Sequence, residues 1–345
     1  MGRIAKVGII GAGWPGIAHA QGYVAAGGYE VYAVADLIPQ RRSELAKGFS
    51  PKQQYTSAEE LIADKLVDVV SVCVPNNLHA HLVKSALKAG KHVICETPPA
   101  VSVGEVRQMG AAAAKAGKVL LFSMQRRFGG CEQTARQAVA KGLLGEVYHV
   151  RAAWMRTRGI PSGTGWYTNA QQSGGGVMSD LGLQMLDVAW DLMGSPKPVS
   201  VFAVSHNRLN PRVEGQFEVE EAGNALIRFD NGSSMELASA WAINQPPQQQ
   251  GAVCRVSGTQ GALEVYSDAG ALLYRDFDGA GNCRAVPLKG PEMTHHGALM
   301  RHLKECMLGK TQPQVGAPRA AALMEILHAI YKSAENGRSV NLGLA

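Results

Sequence analysis

The run Val7-Gly-Ile-Ile-Gly11-Ala-Gly13-Trp14-Pro15-Gly16 limits this chain to few folds. A short apolar strand ends in Gly-x-Gly-x-x-Gly and leads into a helical stretch. Gly11 permits the tight turn, Gly13 lets the backbone approach a diphosphate, and Gly16 lets helix and strand pack closely. The diphosphate would sit at a helix N-terminus, where N–H groups and the helix dipole favour negative charge. A second apolar strand, running from Tyr29 to Ala35, ends in Asp36. That carboxylate suits a ribose 2′-hydroxyl and repels a 2′-phosphate, and Leu37 after it supplies no cation. The pattern predicts NAD rather than NADP as cofactor, with Arg41 and Arg42 the nearby cations that could swing toward the ribose.

Up to residue 123 apolar strands alternate with amphipathic helices. Strands are expected at Ala5–Ile10, Val31–Ala35, Val67–Val74, His92–Cys95 and Val119–Phe122. Strands this uniformly apolar are buried on both faces, so they predict a doubly wound parallel sheet covered by helices, an α/β Rossmann domain over 1–123. After Gln125 the pattern changes to one helix, a glycine-rich entry into a second helix near Gly176–Leu192, and several alternating strands. Asp230-Asn231-Gly232 predicts a hairpin turn with positive φ at both Asn231 and Gly232. Residues 124–345 therefore read as a substrate-binding and oligomerisation domain of the α+β class with a large, mostly antiparallel, open sheet. Its last helix, Ala317–Glu335, is expected to pack back on the first domain. The helix-free face of that sheet predicts a homodimer or homotetramer.

Composition narrows the partners. The 345 residues, 46% apolar and 18% charged, suit two globular domains. No apolar run reaches the roughly 18 residues of a membrane span, and the first strand does not read as a signal peptide, so a cytoplasmic location is expected. The net charge of +6 favours anionic partners. Its arginines are scattered, however, and none interleaves with aromatics in a nucleic-acid module, so no nucleic acid is expected. The six cysteines form no C-x-x-C and have no histidines at metal spacing, which predicts reduced thiols and no metal.

Three segments end strands of the first domain and are expected around the cofactor: Pro75-Asn76-Asn77-Leu78-His79, Glu96-Thr97-Pro98-Pro99 and Gln125-Arg126-Arg127-Phe128. With the glycine turn, with Ala89-Gly90-Lys91-His92-Val93, and with Gly174-Gly175-Gly176-Val-Met-Ser-Asp180-Leu-Gly182-Leu-Gln184-Met-Leu-Asp187, they make the chain resemble the Gfo/Idh/MocA oxidoreductases over essentially its whole length. The resemblance implies hydride transfer between a nicotinamide and a hydroxyl-bearing carbon of a sugar or sugar derivative. Two departures stand out. The family usually places a lysine where this chain has Thr97, and a histidine where it has Gln184. Oxidising an alcohol needs a group that takes the hydroxyl proton, and threonine and glutamine cannot titrate in that range.

Asp180 and Tyr167 are the candidate replacements, one as a carboxylate base and the other as a general acid. Asp180, Gln184 and Asp187 fall at i, i+4 and i+7, which predicts a shared polar face bordering the cleft, with Asp187 structural. Trp166 offers a stacking face for a sugar. Arg127, Arg156 and Arg158 are candidate substrate contacts for an acidic group, with ion pairs to Asp and Glu at the domain interface as the alternative. His79 reads as a helix-start residue at the cofactor edge, and His295-His296 as a surface pair. Three functions remain open: an NAD-dependent dehydrogenase or reductase with a non-standard acid–base set, a redox-neutral NAD-dependent glycosidase, and a non-catalytic nucleotide- or sugar-binding protein.

Overall fold

The computed structural model describes residues 4–161, 165–209, 217–266, 270–292 and 294–343. The chain divides into two compact units, one comprising 1–125 with 293–322, the other 126–292 with 323–345.

The first unit carries six strands: β1 (Ala5–Ile10), β2 (Tyr29–Ala35), β3 (Gln53–Tyr55), β4 (Val69–Val72), β5 (His92–Cys95) and β6 (Leu120–Phe122). They pair in parallel in the order β3-β2-β1-β4-β5-β6, with the order reversing beside β1. Ligands of such sheets bind beyond the strand C-termini at that reversal. The connecting helices are α1 (Trp14–Ala26), α2 (Pro39–Phe49), α3 (Ala58–Ala63), α4 (His79–Lys88) and α5 (Val103–Ala116). The starts of α1, α3 and α5 have local causes. Pro15 stands at the first positions of α1, where its missing N–H costs nothing. Ser57 and Glu60 form a capping box on α3, and the Ser102 hydroxyl accepts the Glu105 N–H at α5. Val69, Val70 and Val72 of β4 and Val93, Ile94 and Cys95 of β5 are all fully buried, as a sheet covered on both faces requires.

In the second unit α6 (Gly130–Ala140) precedes β7 (Val147–Met155), and a short α7 (Ala170–Ser173) precedes the glycine run. A π-helical turn at Met178–Gly182 then leads into α8 (Leu183–Leu192). Strands β8 (Pro198–His206), β9 (Ala222–Phe229), β10 (Ser234–Ala240), β11 (Gly251–Gly258), β12 (Ala262–Tyr266), β13 (Gly270–Arg275) and β14 (Arg284–Leu288) follow. α9 (His295–Met307) belongs to the first unit, α10 (Ala317–Asn336) starts in the first unit and continues into the second from Leu323, and a two-residue β15 (Val340–Asn341) follows. The nine-stranded sheet runs β14-β13-β12-β11-β7-β10-β9-β8-β15; β7 and β10 are parallel and the other neighbours antiparallel. Ala225 and Ile227 of β9 point inward and Leu226 outward, the alternation of a half-covered sheet.

In the fold, the structure departs from the sequence reading at several points. Residues 293–322 belong with the first unit, not the second. Packing of α9 on α1 explains this, because Gly22 leaves room for the His296 backbone where a Cβ would come within 3.0 Å of its carbonyl. The hairpin at Asp230 uses positive φ at Gly232 (83°) but not at Asn231. The Asn231 side chain instead accepts the Ser233 N–H and hydroxyl, which holds the turn without left-handed backbone at that residue. Finally, the helix expected over Gly176–Leu192 begins as a π-turn. The buried Glu220 carboxylate accepts the Gly176 and Met178 N–H groups at its start, as a capping group would.

Candidate active site

The glycine turn fits a dinucleotide. Gly11 has φ of +92°, and a Cβ on it would lie 2.2 Å from the Cys73 carbonyl oxygen. A Cβ on Gly16 would lie 2.1 Å from the Gly11 oxygen, so helix and turn touch backbone to backbone. At Gly13 a Cβ would meet nothing closer than Pro15 at 3.6 Å, which leaves that side open to a ligand. Among the described residues no side chain caps α1 and no acid occupies its first turn, which leaves its N-terminal N–H groups available to an anion. Trp14 is 62% exposed beside this opening. Asp36 accepts the Ala12 N–H through Oδ2 and the Ile38 N–H through Oδ1, both at 2.8 Å. Its position is thereby fixed against the glycine turn. Arg42 donates to the Asp36 backbone oxygen.

The other strand ends are braced together. Pro75 leads into a 3-10 turn, Asn76–Leu78, in which Asn76 is buried. His79 is fully buried; its Nε2 lies 2.9 Å from the Val74 oxygen and its Nδ1 lies 3.0 Å from the Pro98 oxygen. Burial lowers its pKa against the pull of those carbonyls, and a neutral ring donates to one of them at a time. His79 thus ties two loops together rather than presenting itself to a ligand. Glu96, also buried, receives His19 Nε2 at 2.7 Å on Oε1 and the Thr97 N–H at 2.9 Å on Oε2. Burial would raise its pKa, but the hydrogen bond and charge of His19, with His296, hold it at about 2. Glu96 therefore fixes the turn carrying Thr97, which is half-buried, as is Gln125 at the end of this unit.

In the second unit the arginines separate by role. Arg127, expected as a substrate contact, is instead locked in a buried triad. Its Nε and one terminal nitrogen reach the two Asp187 oxygens at 2.8 and 2.7 Å, and the other reaches Asp191 at 2.6 Å. Its side chain is 4% exposed and that of Asp187 fully buried. These charges hold the pKa of Arg127 well above its usual value despite burial. Arg158 donates to the Thr157 oxygen and to Asn244 Oδ1 at 3.0 Å, on the surface. Arg156 lies 5.3 Å from the Trp154 ring centre, and Arg126, which the sequence did not single out, stacks on the same ring at 3.6 Å.

Asp180 sits on the π-turn, half-buried, and its Oδ2 accepts the Trp241 indole N–H at 2.8 Å. Gln184 is 4% exposed. Of the three residues expected on one polar face, Asp187 is taken up by the Arg127 pair, and a π-helical turn lies between Asp180 and the α-helical start at Leu183. Trp166 and Tyr167 stack on each other with centroids 3.8 Å apart, so each ring already has an aromatic partner. His295 and His296 are not a surface pair; both are half-buried at the start of α9.

Comparison with known proteins agrees with this geometry. Residues 5–124 match the model of the Gfo/Idh/MocA family described as "Oxidoreductase family, NAD-binding Rossmann fold", and residues 133–264 match that of the corresponding C-terminal domain. D-glucoside 3-dehydrogenase of Escherichia coli (strain K12) is 31% identical over 98% of this chain and 97% of its own length. Among solved structures, aldose-aldose oxidoreductase from Caulobacter crescentus complexed with glycerol superposes with a TM-score of 0.85 at 27% identity, covering 99% of this chain and 100% of that one. Levoglucosan dehydrogenase in complex with NADH and levoglucosan gives 0.88 at 20% identity over 99% of this chain and 100% of that one, which is a likeness of fold.

Proposed function

Since the chain belongs to the Gfo/Idh/MocA family of oxidoreductases, with its NAD-binding Rossmann domain, we propose that it transfers hydride between NAD and a hydroxyl-bearing carbon of a sugar or sugar derivative. The observation that carries this reading is the uncapped start of α1, floored by Gly11 and Gly16 and flanked by the immobilised Asp36 carboxylate. Gly13, Trp14, Pro15 and Gly16 would border the diphosphate, Asp36 the adenosine ribose, and Pro75, Asn76, Thr97 and Gln125 the nicotinamide half. The bound dinucleotide supplies the hydride acceptor or donor. Asp36 favours NAD over NADP, because a 2′-phosphate would face a carboxylate.

Proton handling falls to the second unit. Asp180 is its candidate acid–base group: the Trp241 indole orients the carboxylate, and an ionised carboxylate can take the hydroxyl proton as hydride departs. Gln184 and Arg156 are the candidate sugar contacts. Tyr167 and Trp166, stacked together, offer the sugar a joint aromatic edge. Relatives bearing the names of sugar dehydrogenases and reductases support the substrate class. A cytoplasmic location belongs to the same reading; among the described residues no helix is long and apolar enough to cross a membrane. So does a homo-oligomer formed through the sheet, whose outer face exposes Phe202, Val204 and Leu226.

A redox-neutral glycosidase is the second reading, favoured by Thr97 and Gln184 standing where the usual proton carriers would be. Calorimetry with NAD and NADH, followed by a panel of free sugars and chromogenic glycosides, tests both. Stoichiometric reduced cofactor from a free sugar supports the dehydrogenase. Release of the chromophore with no net change at the reduced-cofactor absorbance supports the glycosidase. Failure to bind either dinucleotide would overturn the proposal.

A further inference from the structure

The geometry points to a divalent transition-metal site in the first unit, built from His19 of α1, Glu96 after β5 and His296 in the first turn of α9. One ligand atom from each lies within 4.8 Å of the other two. His19 Nε2 and Glu96 Oε1 are already 2.7 Å apart, and the His296 ring centre is 5.7 Å from that of His19. His296 Nε2 is shielded from solvent and makes no hydrogen bond. A buried polar nitrogen left without a partner is costly, and here it belongs to one of three converging ligands.

The surroundings resemble those of metal-binding histidines. Such histidines are usually held through their second ring nitrogen. Here His19 Nδ1 meets Ser71 Oγ at 3.1 Å, and Tyr23 OH meets that same oxygen at 2.8 Å. Glu96 is held through Oε2 by the Thr97 N–H. His296 is fixed in the backbone, where α9 lies against Gly22 of α1 with no room for a Cβ. Two imidazoles and one carboxylate, with a fourth position left for water, are a donor set for zinc or cobalt rather than for calcium or magnesium.

Tetrahedral bonds of roughly 2.1 Å separate ligand atoms by about 3.4 Å. The His19–Glu96 contact therefore opens slightly on binding, and the His296 ring moves inward by rotation of its side chain. Any proton lying between His19 Nε2 and Glu96 leaves to solvent as the cation enters, and the ring of a metal-bound neutral His19 then donates through Nδ1–H to Ser71. No electron changes hands. A cation at this site would sit one residue before Thr97, where the usual lysine charge is missing.

The test uses the full chain, free of any histidine tag and stripped with a chelator. Titration with Co²⁺ should show one equivalent bound, with the visible bands of a low-coordinate nitrogen–oxygen site, displaced by Zn²⁺. His296→Ala and the bulkier His296→Gln should each weaken binding at least tenfold, while both retain NADH binding as evidence of an intact fold. Three results would overturn the proposal: no stoichiometric uptake by the unaltered chain, equal affinity in both variants, or a thiolate-to-cobalt charge-transfer band that assigns the metal to exposed Cys283 or half-buried Cys131.

Discussion

Arg127→Ala separates a structural arginine from a substrate-binding one. The guanidinium makes three short charge-assisted contacts, to Asp187 at 2.8 and 2.7 Å and to Asp191 at 2.6 Å, with its own side chain 4% exposed. Removing it leaves the fully buried Asp187 carboxylate without its bidentate partner. Breaking a buried pair from one side costs about 3–5 kcal/mol, chiefly through the stranded charge. Asp191 is less affected, being 18% exposed and 3.6 Å from Arg136. For a unit of this size each kcal/mol lowers the midpoint by roughly 2–4 °C, so scanning calorimetry should show a fall of about 6–20 °C. Arg127→Met combined with Asp187→Leu removes both charges and should recover much of the loss. Arg127→Lys keeps the charge but not the fork, and should fall between. A midpoint shift below about 2 °C, with KM for the sugar raised tenfold or more, would refute the triad argument and return Arg127 to the substrate.

Asp36→Ala removes the carboxylate that accepts the Ala12 and Ile38 N–H groups, and should weaken NADH binding about tenfold while narrowing the preference over NADPH; unchanged fluorescence titrations of both would count against it. Gly16→Ala pushes a methyl against the Gly11 oxygen, at 2.1 Å, and should abolish dinucleotide binding, as calorimetry would show. Thr97→Lys restores a titratable cation at the family position, and the hydride-transfer rate should rise toward the ~10²–10⁴-fold that a positioned acid–base group contributes. An unchanged single-turnover rate with bound NAD would mean that the proton leaves by a route the lysine does not serve. Phe202→Glu with Leu226→Glu places charge on adjacent outward positions of β8 and β9, and should leave a monomer in light scattering.

The parallel half of the fold was legible because each strand carries its own signal. Val69–Val72 and His92–Cys95 are apolar on both faces and are followed by turn residues, so pattern alone marks them. β3 falls outside the expected strands because Gln53–Tyr55 is a short polar edge without apolar alternation. The glycine turn and Asp36 are local features, and their geometry follows from residue type. The Arg127–Asp187 pair spans 60 positions, and its partner could be guessed in kind but not in identity. The π-turn had no local signal. Glu220, which holds the N–H groups at its start, comes from a distant segment that the sequence reading leaves unassigned. His296 was misjudged for the same reason, since its burial depends on α9 meeting Gly22, a contact between distant segments.

On the proposed reading, Thr97 and Gln184 stand where the family resemblance implies proton carriers. Drift toward an inert scaffold would also loosen buried polar networks, since each becomes costly only while the fold still needs it. Here the Arg127 triad, the Glu220 cradle and the His19–Glu96 pair are all intact. On the proposed reading, a chain that keeps those networks while carrying Thr97 and Gln184 routes its proton through Asp180, whose carboxylate the Trp241 indole orients on the π-turn. An alcohol oxidation run by an imidazole loses rate as pH falls through about 6.5, where the base becomes protonated. With glutamine in that place, kcat/KM for oxidation should pass through that region without an inflection. Asp180→Asn keeps an acceptor for the Trp241 indole but cannot take a proton, and should lower kcat by ~10²–10⁴ with NADH affinity unchanged. A full imidazole-like inflection, persisting in Asp180→Asn at normal rate, would show that a histidine elsewhere in the chain handles the proton.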